Sequence, residues 1–375
     1  MIPRNRTLKR LYRTHTHLRN RFLTSSYRLS VIQTRGSPPN GHANMIYCVQ
    51  LYTYPTTKYQ VIFTGSRDKT IREWNLCTGE VERVFGGVHT ESVLSLCARN
   101  GWMVSAGSDW RVVLWNLDGR SLGKGKGIDG NRSGGSAAVK VLRDRADSVL
   151  CVRFGDERLV SYRTVRVYTF PGLELLHVLG GHRAAVNAIS LSKDYVVPGS
   201  GHRSMNVWDV KTGKLIRTFE YHHTRTSPHP RHSHILHHPY PLPRRTPIPT
   251  TTTTSSSSST YNSHAPIHPY HTDLVRGISL GLDFIITGSY DLSVKTWDHT
   301  SGVLVAYLTE GHTGKIFCVA ADKTKVASCG EDLRICVWNF SRGVEGVESI
   351  QSEWCEREMV GLYIFSRVEF ECISK

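Results

Sequence analysis

Residues 311–339 read GHTGKIFCVAADKTKVASCGEDLRICVWN, and within them His312 stands 26 residues before Trp338. The same interval of 26 separates His89 from Trp115, His182 from Trp208 and His271 from Trp297. A spacing that recurs without drift marks an internal repeat. Around the His the text approaches Gly-His-x-x-x-Val/Ile, as at Gly181-His182 to Val186 and Gly311-His312 to Ile316. Each Trp is followed by Asn or Asp, at Trp74-Asn75, Trp115-Asn116, Trp208-Asp209, Trp297-Asp298 and Trp338-Asn339. Between His and Trp lie an apolar run, a hydroxyl-and-glycine segment such as Thr64-Gly65-Ser66 or Thr287-Gly288-Ser289, and a turn Asp six residues before the Trp.

Alignment on the Trp yields six units. The first carries His42, Thr64, Asp68 and Trp74, with His42 set 32 residues upstream of the Trp because the text around Thr53–Tyr59 lengthens a hairpin. The second carries His89, Ser105, Asp109 and Trp115, the fifth His271, Thr287, Asp291 and Trp297, and the sixth His312, Ser328, Asp332 and Trp338. The third is degraded: Arg145, Ser161 and Tyr168 hold the His, hydroxyl and Trp places, no turn Asp is present, and the interval is 23. An odd deletion disturbs strand register. In the fourth, Pro198 and His202 replace the hydroxyl residue and the Asp between His182 and Trp208.

The chain thereby resembles the WD40 repeat family, whose unit is a four-stranded propeller blade. The resemblance implies an all-β fold, a WD40 β-propeller of six recognisable repeats and six or seven blades, with a short basic N-terminal helix. Apolar text such as Val93-Leu94-Ser95-Leu96 and Phe284-Ile285-Ile286 suits strands buried between neighbouring blades. Asp, His, hydroxyl and Trp of one unit can form a single buried chain of hydrogen bonds that ties the hairpin turn to the loop entering the blade. The same residue types make a hydrolase triad elsewhere, but catalysis needs one set with an exposed nucleophile and an oxyanion hole. Here the set recurs and no G-x-S-x-G elbow accompanies it. The expectation is a structural network, no catalytic residues and no enzyme activity.

The formal charge of +16 is concentrated outside the repeats. Residues 1–41 hold nine Arg and Lys and no acid, and residues 221–272 add Arg225, Arg231, Arg244 and Arg245, again without an acid. The repeat body is therefore close to neutral, and a general nucleic-acid surface is not expected. The acid-free N-terminus fits a mitochondrial transit peptide by composition. The preferred expectation is a basic amphipathic helix over Thr7 to about Leu23, with Leu8, Leu11, Tyr12, Leu18 and Phe22 as its apolar face. The nine Cys are scattered and include no C-x-x-C pair. No metal, no cofactor and no small-molecule substrate is expected, and single buried thiols point to a reducing compartment, cytoplasmic or nuclear. With no apolar run as long as a span, no membrane partner is expected.

The expected layout is a helix and closing strand over 1–40, a propeller over 41–345 interrupted by a low-complexity insert at 224–271, and an irregular tail over 346–375. Trp208 to Trp297 is 89 residues where Trp74 to Trp115 is 41, an excess of 48. Deleting Thr224–His271 restores the interval by joining His223 to Thr272. The text removed, with Thr250–Thr254 and Ser255–Ser259, cannot bury enough apolar surface to fold, and its His residues have no fixed ligand spacing. Translated non-coding sequence is the other reading of that stretch. A second insert, Gly123–Ala138, reads as a linker, because its glycines lack the G-K-[ST] ending of a phosphate loop. Tyr27–Thr34 is the candidate strand for closing the ring.

The wording of the units narrows the resemblance to fungal-type F-box/WD40 proteins, through Arg67 to Trp74, His182 to Val186 and His271 to Arg276 with Gly288 to Asp291. Leu8–Tyr12 and Arg19–Phe22 resemble the helical linker of those proteins. Some forty leucine-rich residues of an F-box precede that linker in the family, whereas here Met1 stands only a few residues before it. A place in a ubiquitin ligase is expected only where an F-box exists upstream. The resemblance implies a protein-interaction scaffold whose top face holds a phosphorylated segment. Two places per blade line that face. The first places are Tyr47, Leu94, Leu150, Asn187, Arg276 and Phe317, and the second are Arg67, Ser108, Gly201, Tyr290 and Glu331. Arg276 with Tyr290, helped by Arg67, is the candidate phosphate reader, because a guanidinium fork donates two hydrogen bonds to phosphate oxygens. Tyr47, Asn187 and Phe317 complete the candidate ligand set. The alternative is an RNA- or ribosome-associated propeller that uses the basic N-terminus.

Overall fold

The computed structural model describes residues 4–33, 40–117, 138–143, 147–161, 165–180, 186–200, 204–220, 270–280 and 283–347. The chain divides into two units, Met1–Glu220 with Pro269–Lys375, and Tyr221–His268. All described residues belong to the first unit. Among the described residues a helix, α1 (Arg4–Leu23), is followed by β1 (Arg28–Gln33) and by 23 further strands. Blade 1 comprises β2 (Ile46–Thr53), β3 (Gln60–Ser66), β4 (Ile71–Asn75) and β5 (Val81–Phe85), and blade 2 comprises β6 (Val93–Arg99), β7 (Trp102–Gly107), β8 (Val112–Asn116) and β9 (Ala138–Leu142). Blade 3 comprises β10 (Val152–Phe154), β11 (Arg158–Ser161), β12 (Val165–Thr169) and β13 (Leu175–Leu179), and blade 4 comprises β14 (Val186–Leu191), β15 (Tyr195–Ser200), β16 (Ser204–Asp209) and β17 (Leu215–Glu220). Blade 5 comprises β18 (Val275–Leu280), β19 (Phe284–Ser289), β20 (Val294–Asp298) and β21 (Leu304–Leu308). Blade 6 takes β22 (Ile316–Ala321), β23 (Lys325–Gly330) and β24 (Arg334–Asn339) from one end of the chain and β1 from the other.

These six four-stranded antiparallel sheets make an all-β propeller with a short N-terminal helix. The expected closing strand falls within Tyr27–Thr34: β1 pairs with β24 from Arg28 opposite Asn339 to Gln33 opposite Arg334. The last sheet thus gains its outer strand from the first strand of the chain, and the described residues form six blades.

Burial explains the apolar text. The second strands β3, β7, β19 and β23 are buried along nearly their whole length, because each lies between two strands of its own blade and under the faces of its neighbours. Two glycines permit the tight approach at the ends of such strands. A Cβ on Gly107 would lie 2.5 Å from the Ser92 carbonyl oxygen, and one on Gly330 would lie 2.2 Å from that of Lys315. Side chains also tie blade to blade. Gln50 exchanges two hydrogen bonds with the Ala98 backbone at 3.0 and 2.8 Å, Ser95 Oγ accepts from Val152 N at 3.1 Å, and Ser279 Oγ accepts from Ala321 N at 3.1 Å.

Some sequence boundaries shift. Ala138, placed at the end of the glycine-rich insert, opens β9, so that insert interrupts blade 2 between its third and fourth strands and residues 118–137 lie outside the described residues. His271, counted within the 224–271 insert, belongs to blade 5 through the bonds given below. Arg145, His182, Gly201 and His202 lie outside the described residues, as do the side chains of Asn187 and Pro198 and the tail from 348 onward. The apolar face of α1 is also revised. Thr14, Leu18 and Phe22 are buried at i, i+4 and i+8, whereas Leu8 and Tyr12 are exposed. Phe22 fixes the choice of face by stacking on Phe340 at 3.7 Å and Phe284 at 5.1 Å.

Candidate ligand-binding site

The tetrads form the frame on which the site is carried. In blade 1, Trp74 Nε1 donates to Thr64 Oγ1 at 2.7 Å, Thr64 meets His42 Nε2 at 2.8 Å, and His42 Nδ1 meets Asp68 at 2.8 Å. Because the hydroxyl accepts from the indole, its own proton goes to Nε2, and Nδ1–H is left to donate to the carboxylate. Blade 2 repeats this with Trp115–Ser105 at 2.8 Å, Ser105–His89 at 2.7 Å and His89–Asp109 at 3.0 Å, and blade 5 with Trp297–Thr287 at 2.8 Å, Thr287–His271 at 2.7 Å and His271–Asp291 at 2.8 Å. Blade 6 departs from the expectation at one link. His312 meets Ser328 at 2.7 Å and Asp332 at 3.0 Å, but Trp338 Nε1 is buried without a partner, so the Ser328 hydroxyl serves the His alone. In blade 4 the indole nitrogen of Trp208 is likewise buried and unpaired, as fits the lost hydroxyl at Pro198.

Each Asp also accepts from the backbone N–H that follows the His, at Ala43, Thr90, Thr272 and Thr313, over 2.8–3.0 Å. It also accepts from the N–H two residues further along its own turn, at Thr70, Arg111, Ser293 and Arg334. Burial raises these carboxyls, but the hydrogen bond and charge interaction with the His, together with these backbone bonds, outweigh it and hold Asp68, Asp109, Asp291 and Asp332 below the usual carboxylate range. They also hold the residue after each Asp in the left-handed region, with φ of 72° at Lys69, 65° at Trp110, 67° at Leu292 and 62° at Leu333.

A second repeated feature supplies the site itself. The inner strand of five blades contains a β-bulge, between Ile46 and Cys48, Val93 and Ser95, Val186 and Ala188, Val275 and Gly277, and Ile316 and Cys318. The bulged residues are Tyr47, Leu94, Asn187, Arg276 and Phe317, which are five of the six first-place positions. A bulge leaves one residue out of the ladder and re-aims its side chain, so the same offset from each His delivers a side chain free of sheet pairing.

Three of these side chains meet. Blades 5, 6 and 1 are neighbours through β18, β22 and β2. The Arg276 guanidinium lies 4.8 Å from the Phe317 ring centroid and 5.6 Å from that of Tyr47, and the two rings are 5.4 Å apart. Arg276 Nη1 donates to Tyr290 Oη at 3.1 Å, and the Tyr290 ring meets Phe317 edge-on at 5.8 Å. Lys315 Nζ lies 5.0 Å from the Tyr290 centroid, and the Lys315 backbone N–H donates to a Glu331 carboxylate oxygen at 3.4 Å. Arg276 and Lys315 are exposed, Tyr47 and Tyr290 are half-buried, and Phe317 is buried beneath them. Cation–π contact and the phenol together hold one guanidinium at an open face, with most of its N–H groups still available.

Arg67 is not brought to this cluster. Its N–H bonds Met45 O at 2.9 Å, and its exposed side chain has no partner among the described residues. Lys315 was missed in the sequence because it occupies neither of the two places per blade, and only the fold sets it beside Tyr290. Among the described residues no group of His, Cys, Asp or Glu is placed to hold a metal ion, and no helix is long and apolar enough to cross a membrane.

A propeller that shows six blades among its described residues, three of them with the complete His–hydroxyl–Trp network, defines a WD-repeat platform. The family model described as WD domain, G-beta repeat, matches residues 34–75 and 302–339, so these two stretches read as WD repeats. Among similar proteins, Cell division control protein 4 of Saccharomyces cerevisiae is 25% identical over 226 residues, covering 53% of this chain and 29% of that protein. Mitochondrial division protein 1 of Schizosaccharomyces pombe is 25% identical over 175 residues, covering 45% and 22%, and human Pre-mRNA-processing factor 17 is 25% identical over 185 residues, covering 47% and 30%. The chain thus spans under a third of the length of each of these relatives. Among solved structures, the computationally designed Ika8 protein matches with a TM-score of 0.51 at 17% identity, covering 80% of this chain and 85% of that one, a likeness of fold alone.

Proposed function

We propose that this WD40 interaction scaffold is a substrate-recognition propeller related to F-box/WD40 receptors, and that the face around Arg276 takes a phosphorylated segment of a protein partner. The observation that supports this reading is the guanidinium of Arg276, held between Phe317 and Tyr47 and bonded to Tyr290, with contributions from three blades. A cation already ordered by aromatic rings loses little freedom on meeting an anion. Charge-assisted hydrogen bonds to phosphate are each worth about 1.5–3 kcal/mol. Tyr290 Oη can share the same oxygen, and Lys315 adds a second positive charge.

The test is binding of an arrayed set of paired phosphorylated and unphosphorylated peptides by the wild type and by Arg276→Glu. Wild type retains phosphorylated members selectively, and the variant loses that selectivity while still unfolding cooperatively in urea, because Arg276 is exposed and lies outside the tetrads. Equal retention of phosphorylated peptides by both proteins would leave a scaffold whose ligand is not a phosphate.

A further inference from the structure

Helix α1 carries seven Arg and Lys, no acid, and two distinct apolar stripes. The first stripe is used internally. Thr14, Leu18 and Phe22 are buried, Thr14 Oγ1 donates to Glu345 O at 2.8 Å, and Arg21 Nη1 donates to Phe340 O at 3.3 Å. Arg19 is engaged by Asp298 at 3.6 Å. These contacts fix the roll of the helix about its axis. The second stripe therefore faces outward: Leu8 is 61% exposed, Tyr12 one turn later is 73% exposed, and Leu23 at the far end is 43% exposed. Lys9, Arg10 and Arg13 are exposed alongside them.

The surface such a face suits must accept cations and apolar side chains together. A nucleic-acid backbone rewards the cations but leaves Leu8 and Leu23 in water, whereas a bilayer with acidic headgroups rewards both. Leucines enter the acyl boundary, a tyrosine ring suits the headgroup level, and Lys and Arg stems lie along apolar surface with their charges at the phosphates. We propose that the outward face of α1 docks the protein on the surface of a membrane rich in anionic lipid. The sequence-based expectation of no membrane partner rested on the missing span, and a helix lying in the interface needs none.

The experiment is cosedimentation of the full chain with vesicles of phosphatidylcholine alone and of phosphatidylcholine with about one third phosphatidylserine. The acidic vesicles retain the protein, neutral ones do not, and raising salt to about 0.5 M weakens the retention. The double variant Leu8→Ser/Tyr12→Ser binds acidic vesicles at least about tenfold more weakly, and Lys9→Glu/Arg13→Glu abolishes binding. Thermal unfolding of both variants matches wild type, since all four side chains are exposed. The proposal is overturned if wild type ignores acidic vesicles, or if the Leu8/Tyr12 variant binds them as wild type does. It is equally overturned if the protein prefers a uridine oligonucleotide to the vesicles and only the charge reversal affects that preference.

Discussion

His42 illustrates what the tetrad asks of one residue. Its ring is sealed between Thr64 and Asp68, and burial lowers its pKa from the ordinary 6.5. Between the folded and unfolded values the unfolded chain binds a proton that the folded chain does not, so this contribution to stability is full above pH 6.5 and declines as pH falls through that value. Asp68 follows at lower pH. Its folded pKa lies below the ordinary 3.8, so its contribution is full above that value and lost as pH falls toward the folded one. The urea midpoint of the wild type should therefore drop between about pH 7.5 and about pH 5.5, before any carboxylate is titrated. His42→Gln should start lower by about 1–3 kcal/mol and show a shallower dependence over the same window. An identical slope in the two proteins would mean that His42 keeps its ordinary pKa in the fold.

At the scale of the element, the β4–β5 hairpin holds a charge where the sequence suggests none. Glu73, the residue before Trp74, is fully buried, accepts from Tyr54 Oη at 2.9 Å, and is paired with Arg83, which also bonds the Tyr54 hydroxyl and lies 5.1 Å from the Phe85 ring. Arg83→Met keeps contact with Phe85 but leaves a buried carboxylate without its cation, which should cost about 3–5 kcal/mol in urea unfolding. Adding Glu73→Gln should recover most of that loss. If the single variant unfolds like the wild type, the carboxylate is not sealed from water. Period and spacing made the blades and the tetrads legible, because both follow from local chain geometry. Glu73 was not legible, since its partner lies across a hairpin and its burial comes from both faces of the blade. The bulges at Tyr47, Arg276 and Phe317 were legible as positions but not as bulges, because a register shift exists only relative to the neighbouring strand.

At the scale of the molecule, the closing strand β1 could be placed from sequence as an apolar segment needing an edge, whereas the face of α1 could not. Periodicity gathers Leu8, Leu11, Tyr12, Leu18 and Phe22 into one apolar face on that helix, and only the packing of Phe22 on Phe284 and Phe340 decides which part of it is covered. The insert tests how local the repeats are. Blade 5 needs from its entry a His, a following N–H for Asp291, and a carbonyl just before the His, which Lys295 takes from Tyr270 as Arg334 takes that of Gly311. Deleting Thr224–His271 supplies all three from what remains: His223 takes the place of His271, Thr272 keeps its N–H, and His222 offers the carbonyl. The shortened link from β17 to β18 is then Tyr221–His223 joined to Thr272–Leu274, six residues, as many as the 180–185 link from β13 to β14. We predict that the deletion folds with a thermal midpoint within a few degrees of wild type, since loop-closure entropy changes slowly with length and favours the shorter loop. The same deletion carrying His223→Ala should lose about 1–3 kcal/mol, because Asp291 and Thr287 then lack their buried partner. A deletion that unfolds many degrees earlier even with His223 in place would show that residues 224–271 contribute packing to the propeller beyond a connection.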